Sequence, residues 1–175
     1  MTEVVCLGGL VFPFERLNKK LMENQFEPRS IDVGEDRPYE YVSNFSMNKE
    51  EFFQKIEPYY IDSLAEGFEP FELGRTNKEQ KFLWVIDLQG FKMILEKTVN
   101  LESARGCVCH TNITGGEKAI QGGEIWIDTL KVAYINNKSG RYDTVSEEEF
   151  NSSIEYIKSL DLFTDVSKAY KKYRV

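Results

Sequence analysis

Three short runs hold the side chains most able to do chemistry together: Cys109-His110-Thr111-Asn112, Gly122-Gly123-Glu124, and the stretch from Asn136 to Tyr142. His110 is the only histidine, and histidine is the one side chain whose unperturbed pKa makes it an acid or a base near neutrality. An adjacent carboxylate such as Glu124 could orient a substrate with it or move a proton. Alternation along Gly123 to Asp128 puts Glu124, Trp126 and Asp128 on one face of a strand and turns Ile125 and Ile127 into the core. Glu124 then faces His110 if their strands are neighbours. The polar loop ending in Ser139, Gly140, Arg141 and Tyr142 is of the kind that grips a polar ligand at a strand end. The candidate catalytic residues are therefore His110, Glu124 and Tyr142, and the candidate ligand contacts are Thr111, Asn112, Ser139 and Arg141.

Each candidate also has a plain structural reading. His110 can bond Thr111 or a backbone carbonyl on a neighbouring strand, Glu124 can be a solvent-facing acid on an antiparallel sheet, and the Asn136 to Tyr142 loop can be a turn held by its own Asn and Ser side chains.

Spacing excludes other chemistries. Residues 106–114 read as a strand, on which Cys107 and Cys109 share a face and His110 takes the other. A Cys109 and His110 nucleophile and base pair is then disfavoured. So is a zinc site built from Cys6, Cys107, Cys109 and His110, which also lacks the ligand spacing of zinc sites. Gly115-Gly116 and Gly122-Gly123 do not open a helix after a strand, so they read as turn and bulge glycines, with no nucleotide loop and no cofactor implied. Ser139 has no glycine-flanked elbow of a hydrolase nucleophile.

The elements that must position these residues are clearer in the second half of the chain. Phe82–Ile86 and Phe91–Leu95 flank Asp87-Leu88-Gln89-Gly90, a hairpin whose glycine supplies the unusual backbone angle of the turn. With strands at 106–114, 123–128 and 131–136 they suggest an antiparallel meander. Thr144 and Glu147 have capping-box spacing ahead of Phe150, Ile154, Ile157 and Leu160, the apolar face of a helix that should cover the sheet. Asp165 to Tyr173 reads as a last helix, with Val166, Ala169, Tyr170 and Tyr173 on one face.

The first eighty residues are irregular. A strand is expected at Val4–Leu7 and Leu10–Phe12, a helix from Pro13 to about Glu23, a loop over Phe26–Pro38 and a strand over Tyr39–Phe45. Asn48 and Glu51 cap a helix carrying Phe52, Phe53 and Ile56, which should break near Pro58. Tyr59–Leu64 reads as a further turn and Gly67–Gly74 as a connector or edge strand. The expectation is one α+β domain over 1–175: an irregular part at 1–80, a β-meander of five to seven strands plus capped helix at 81–165 with helices on one face, and a C-terminal helix at 165–175.

A chain of 175 residues can bury a core of its own. Its 41% hydrophobic and 13% aromatic residues are those of a globular protein. A formal charge of -7 repels phosphate backbones and anionic lipid, which argues against nucleic acid and membrane partners and leaves a protein partner, more easily a basic one. The absence of a signal-like segment and an odd count of three cysteines point to a cytoplasmic protein. The Asn-x-Ser/Thr triplets at Asn44, Asn112, Asn137 and Asn151 are then chance matches.

Val85, Asp87 and Gly90, followed by His110-Thr111, Gly115-Gly116, Gly123-Glu124 and Ser139-Gly140-Arg141-Tyr142, resemble the motif series of a small β-rich domain. That domain occurs at the ends of bacterial polymorphic-toxin-like proteins and in plant IQ-motif calmodulin-binding proteins. The resemblance covers about half the chain, from Phe82 to about Leu162. Gly122 stands where the pattern has Ala, and Arg141 replaces its second histidine. If that histidine is catalytic in such domains, this chain is inactive or differently tuned. The expected function is an acidic interaction module that binds and modulates a protein partner in a toxin, host-interaction or phage-defence setting. The alternative is a toxin-type enzyme, for instance one transferring ADP-ribose, using His110, Glu124 and Tyr142.

Overall fold

The computed structural model describes residues 9–13, 45–46, 49–62, 70–87, 89–96, 109–117, 119–139, 142 and 146–172. In chain order the strands are β1 (Gly9–Pro13), β2 (Phe45–Ser46), β3 (Phe82–Asp87), β4 (Gly90–Leu95), β5 (Ala119–Ile127), β6 (Val132–Asn136) and β7 (Asp165–Ala169). The α-helices are α1 (Lys49–Ile56), α2 (Leu73–Thr76), α3 (His110–Thr114) and α4 (Glu147–Ser159). The fold is α+β around one mixed sheet that is mostly antiparallel.

The strands lie in the order β2-β1-β4-β3-β5-β6-β7. The β3–β4 and β5–β6 pairs are hairpins, as their turn residues require, but β5 pairs with β3 instead of β4, so the sheet is not a simple meander. Both outer pairings, β1 with β2 and β6 with β7, are parallel. At the first hairpin Asp87 Oδ1 accepts from the Gln89 and Gly90 amides at 2.8 and 3.1 Å, and Gly90 has φ 144°, a value that favours glycine.

Side chains on alternate strand positions enter two different layers. On one face Phe82, Trp84, Ile86, Phe91, Met93, Ile125, Ile127 and Ile135 pack against Phe52 and Ile56 of α1 and Phe150, Ile154 and Ile157 of α4. On the other, Leu83, Val85 and Ile94 meet Ile113 of α3 and Tyr142, while Trp126 and Tyr134 meet Ile61 and Leu73. Helices therefore cover both faces, and the expected one-sided arrangement is replaced by an unequal two-sided one. The reason is that strand residues at both parities are apolar, as in strands buried on both sides.

Several expected elements move. Pro13 ends β1 opposite Gly90 instead of opening a helix; residues 14–44, with the expected helix, loop and most of the following strand, lie outside the described residues, as do 4–7. α1 ends at Ile56, near Pro58 as expected, and passes into a 3-10 turn over Glu57–Tyr59, after which Ile61 bridges to Asp128 instead of adding a helical turn. Leu73–Thr76 is a short helix, not an edge strand. The N-cap of α4 is Ser146, whose Oγ accepts from the Glu149 amide at 3.1 Å, two residues beyond the expected Thr144.

The largest correction is at Asp165–Ala169, which forms an edge strand instead of a helix. Val166 and Tyr170 are four apart, a spacing that puts them on one face in a helix and in a strand alike. The free edge of β6 decides between them. An isolated nine-residue helix is marginal in water, whereas β7 gains a full parallel ladder. The Asn137 side chain extends that ladder by accepting from the Lys171 amide at 3.0 Å and donating to its carbonyl at 2.7 Å.

Candidate functional site

Residues 109–114 are not a strand. Cys109 caps α3, its amide donating to Asn112 Oδ1 at 2.7 Å, and Gly115 and Gly116 close the helix at φ 68° and 77°. The β-branched Thr111, Ile113 and Thr114 suggest a strand, but a capping side chain at one end and two left-handed glycines at the other determine the local fold. Cys107 lies outside the described residues. Among those described there is no group of three or more His, Cys, Asp or Glu placed to hold a metal ion.

Starting α3 at His110 turns its imidazole onto β5, where Nε2 lies 2.9 Å from the Gly123 carbonyl. A carbonyl only accepts, so Nε2 carries the proton and the neutral ring keeps its lone pair on Nδ1. The ring lies flush on the strand because residue 122 is glycine: a Cβ there would stand 2.9 Å from His110 Cδ2. Gly123 serves the opposite face, where a Cβ would overlap the Asn136 carbonyl and stand 2.6 Å from Trp84 Nε1. These two glycines sit inside β5 to admit two rings from opposite sides, and are not the turn or bulge glycines expected.

Glu124 is buried, not solvent-facing. Its Oε2 pairs with Lys81 Nζ at 2.8 Å, its Oε1 accepts from Asn136 Nδ2 at 3.1 Å, and its amide donates to Asn136 Oδ1 at 3.1 Å. Lys81 also pairs with Glu96 at 3.0 Å. Burial disfavours the Lys81 charge, but the bonds and charges of Glu124 and Glu96 outweigh it and raise its pKa. Burial dominates at His110 and lowers its pKa; the Gly123 bond and Glu124 act the other way, and Lys81 adds to the lowering. His110 is neutral at pH 7, within the electrostatic reach of Glu124 but not bonded to it.

Tyr142 belongs to the same region by its backbone, since its carbonyl accepts from the Gly122 amide at 2.8 Å. Its hydroxyl goes to the far end of α3, donating to the Glu117 carbonyl at 2.6 Å and lying 2.8 Å from Thr114 Oγ1. Ser139 Oγ accepts from the Tyr142 amide at 3.1 Å, Asn112 serves as a cap, and Thr111 is buried in α3. Arg141 lies outside the described residues. His110 and Glu124 are thus brought together, while the Tyr142 hydroxyl is held away from both.

Lys81 and Glu96 are the members that sequence reading does not single out; Asn136, read there as the start of the polar loop, bonds Glu124. The available signal is parity: Lys81 continues the Leu83 and Val85 face of β3, so a cation is set beside any acid on the same face of β5. No protein-family model, curated protein or solved structure matches the chain.

Proposed function

We propose that this chain is a non-catalytic interaction module that binds and modulates a protein partner, inside the cell, in a toxin, host-interaction or phage-defence setting. One observation supports this above others: the three groups that a reaction would need are already committed to the fold. His110 Nε2 serves Gly123, the Glu124 carboxylate is ion-paired with Lys81 and accepts from Asn136, and the Tyr142 hydroxyl serves Glu117 and Thr114. Both oxygens of the Glu124 carboxylate are engaged by neighbours, and a phenol used as a strut is a poor ligand clamp.

The enzyme reading, ADP-ribosyl transfer by analogy with toxin domains, retains one favourable observation. His110 Nδ1 presents a lone pair on a ring that stays neutral and is only partly enclosed. Affinity purification from the native cell, wild type beside His110→Ala, with mass spectrometry of the captured protein, separates the readings. A stoichiometric, unmodified partner held by both supports the module. A partner whose mass shift disappears with His110→Ala supports the enzyme.

A further inference from the structure

On the sheet face covered by α1, opposite the face that carries α3, unusual features converge on one groove of about 620 Å³ between α1, the β5–β6 turn and the segment after α4. Its apolar wall is Phe53 edge-on to Phe163, with Tyr60 beside them. Among the described residues only two non-glycines have positive φ, Lys131 at 62° and Asp161 at 54°, and both line this groove. Such positions, the end of a short hairpin loop and the residue after a helix, ordinarily take glycine or asparagine. Here they carry charged side chains into the groove mouth instead.

The turn beside the groove also presents Leu130, 65% exposed and the only exposed large hydrophobic among the described residues. Its backbone is clamped: the Leu130 amide donates to Asp128 Oδ1 at 2.8 Å, and its carbonyl accepts from Thr164 Oγ1 at 2.8 Å. Asp128 is held in turn by Val132 and Tyr134. An exposed aliphatic side chain on a clamped backbone needs no loop ordering on binding, so only its own rotamers remain to be fixed.

Resting on the interaction-module reading, the geometry points to this groove and Leu130 as the docking surface for a basic segment of a partner protein, a Lys or Arg side chain entering between the aromatic wall and the carboxylates of Glu50, Glu57 and Asp161. None of these three acids has an ion-pair partner among the described residues, and they outnumber by one the two lysines, Lys49 and Lys131, that line the same groove. That Phe53 accepts a cation is visible already, since Lys131 Nζ lies 5.4 Å from its ring centre. Glu57 lines the groove together with Phe53 and Tyr60, and after burial its charge is the second cause that raises the Tyr60 pKa. The whole-chain charge of -7 steers a cationic partner toward the surface and repels a second copy of this chain.

The test is selection from a phage-displayed random peptide library on the full chain, with Leu130→Ser and the Glu50→Gln/Glu57→Gln pair as controls whose melting curves report folding. The expected result is enrichment of peptides carrying Lys or Arg beside an apolar residue, bound at least about tenfold more weakly by either variant and weakened by added salt. Enriched peptides that are acidic or neutral, or that bind the variants as well as wild type, overturn the surface while leaving a binding module with another face. Failure to enrich any peptide overturns it too. If no partner is captured from the native cell either, the interaction-module reading falls with it.

Discussion

The two faces of the sheet solve the burial problem differently. Under α1 and α4 the strands contribute almost only Phe, Trp, Ile, Met and Leu, and the layer is held by area removed from water. Under α3 and α2 the same strands and the residues that flank them contribute buried Asp87, Lys92, Glu124, Asp128 and Asn136, with half-buried Lys81, among the apolar residues. Three polar units result: Lys81 with Glu96 and Glu124, Lys92 with Asp87 at 2.9 Å, and Asp128 with Tyr134 at 2.9 Å. The apolar face tolerates exchange of one hydrophobe for another of like volume. The polar face is specified atom by atom, because a buried charge that loses its partner keeps the whole cost of its desolvation. A layer of this kind fixes β-strand register, and its paired groups have little freedom for catalysis.

The sharpest contrast comes from truncation on the apolar side. Phe150→Ala removes a fully buried ring that stacks on Tyr170 and should lower stability by about 3–5 kcal/mol in urea unfolding. On the polar side Lys81→Met should cost on the order of 3 kcal/mol by leaving Glu124 buried and unpaired, and adding Glu124→Leu to it should restore much of that loss. A double variant as unstable as the single one would mean that the polar layer contributes more than mutual neutralisation. Gly122→Ala should cost about 1–3 kcal/mol by overpacking. It should also push the His110 ring off β5, so that its NMR titration moves back up toward the ordinary histidine range.

The smallest effect is the pH dependence of His110 itself. Its folded pKa is lowered, so folding favours the neutral ring. The stability it contributes is complete above the unfolded value of about 6.5 and declines as pH falls through that value toward the folded one. Wild type should therefore lose more stability than His110→Asn between neutral and mildly acidic pH in parallel unfolding curves. Equal losses would show that the imidazole is as well solvated folded as unfolded.

Legibility in the sequence followed the same division. The β3–β4 hairpin was readable because Asp87 and Gly90 act within four residues of each other, and α4 because Phe150, Ile154 and Ile157 can share a face only in a helix. α3 was misread because its propensities and its caps disagree, and the caps prevailed. β7 was misread because Val166 and Tyr170 fit both periodicities and the deciding partner, β6, is thirty residues away. At the candidate site His110 was expected to face Glu124 from an adjacent strand; it comes from α3 instead and bonds Gly123, and Lys81, which acts on both His110 and Glu124, was not foreseen.

By itself the sequence determined the α+β class, the two hairpins, the apolar face of α4 and the acidic net charge. Those follow from local turn chemistry, periodicity and composition, which need no knowledge of distant residues. Only the tertiary structure decided that β3 pairs with β5, that the last segment adds a strand, and that Gly122 and Gly123 admit rings from opposite faces. It likewise decided that Glu124 meets a lysine instead of water. Each of these depends on what a residue far along the chain offers in space: a free strand edge, an aromatic edge, or an opposite charge whose burial is tolerable only in company.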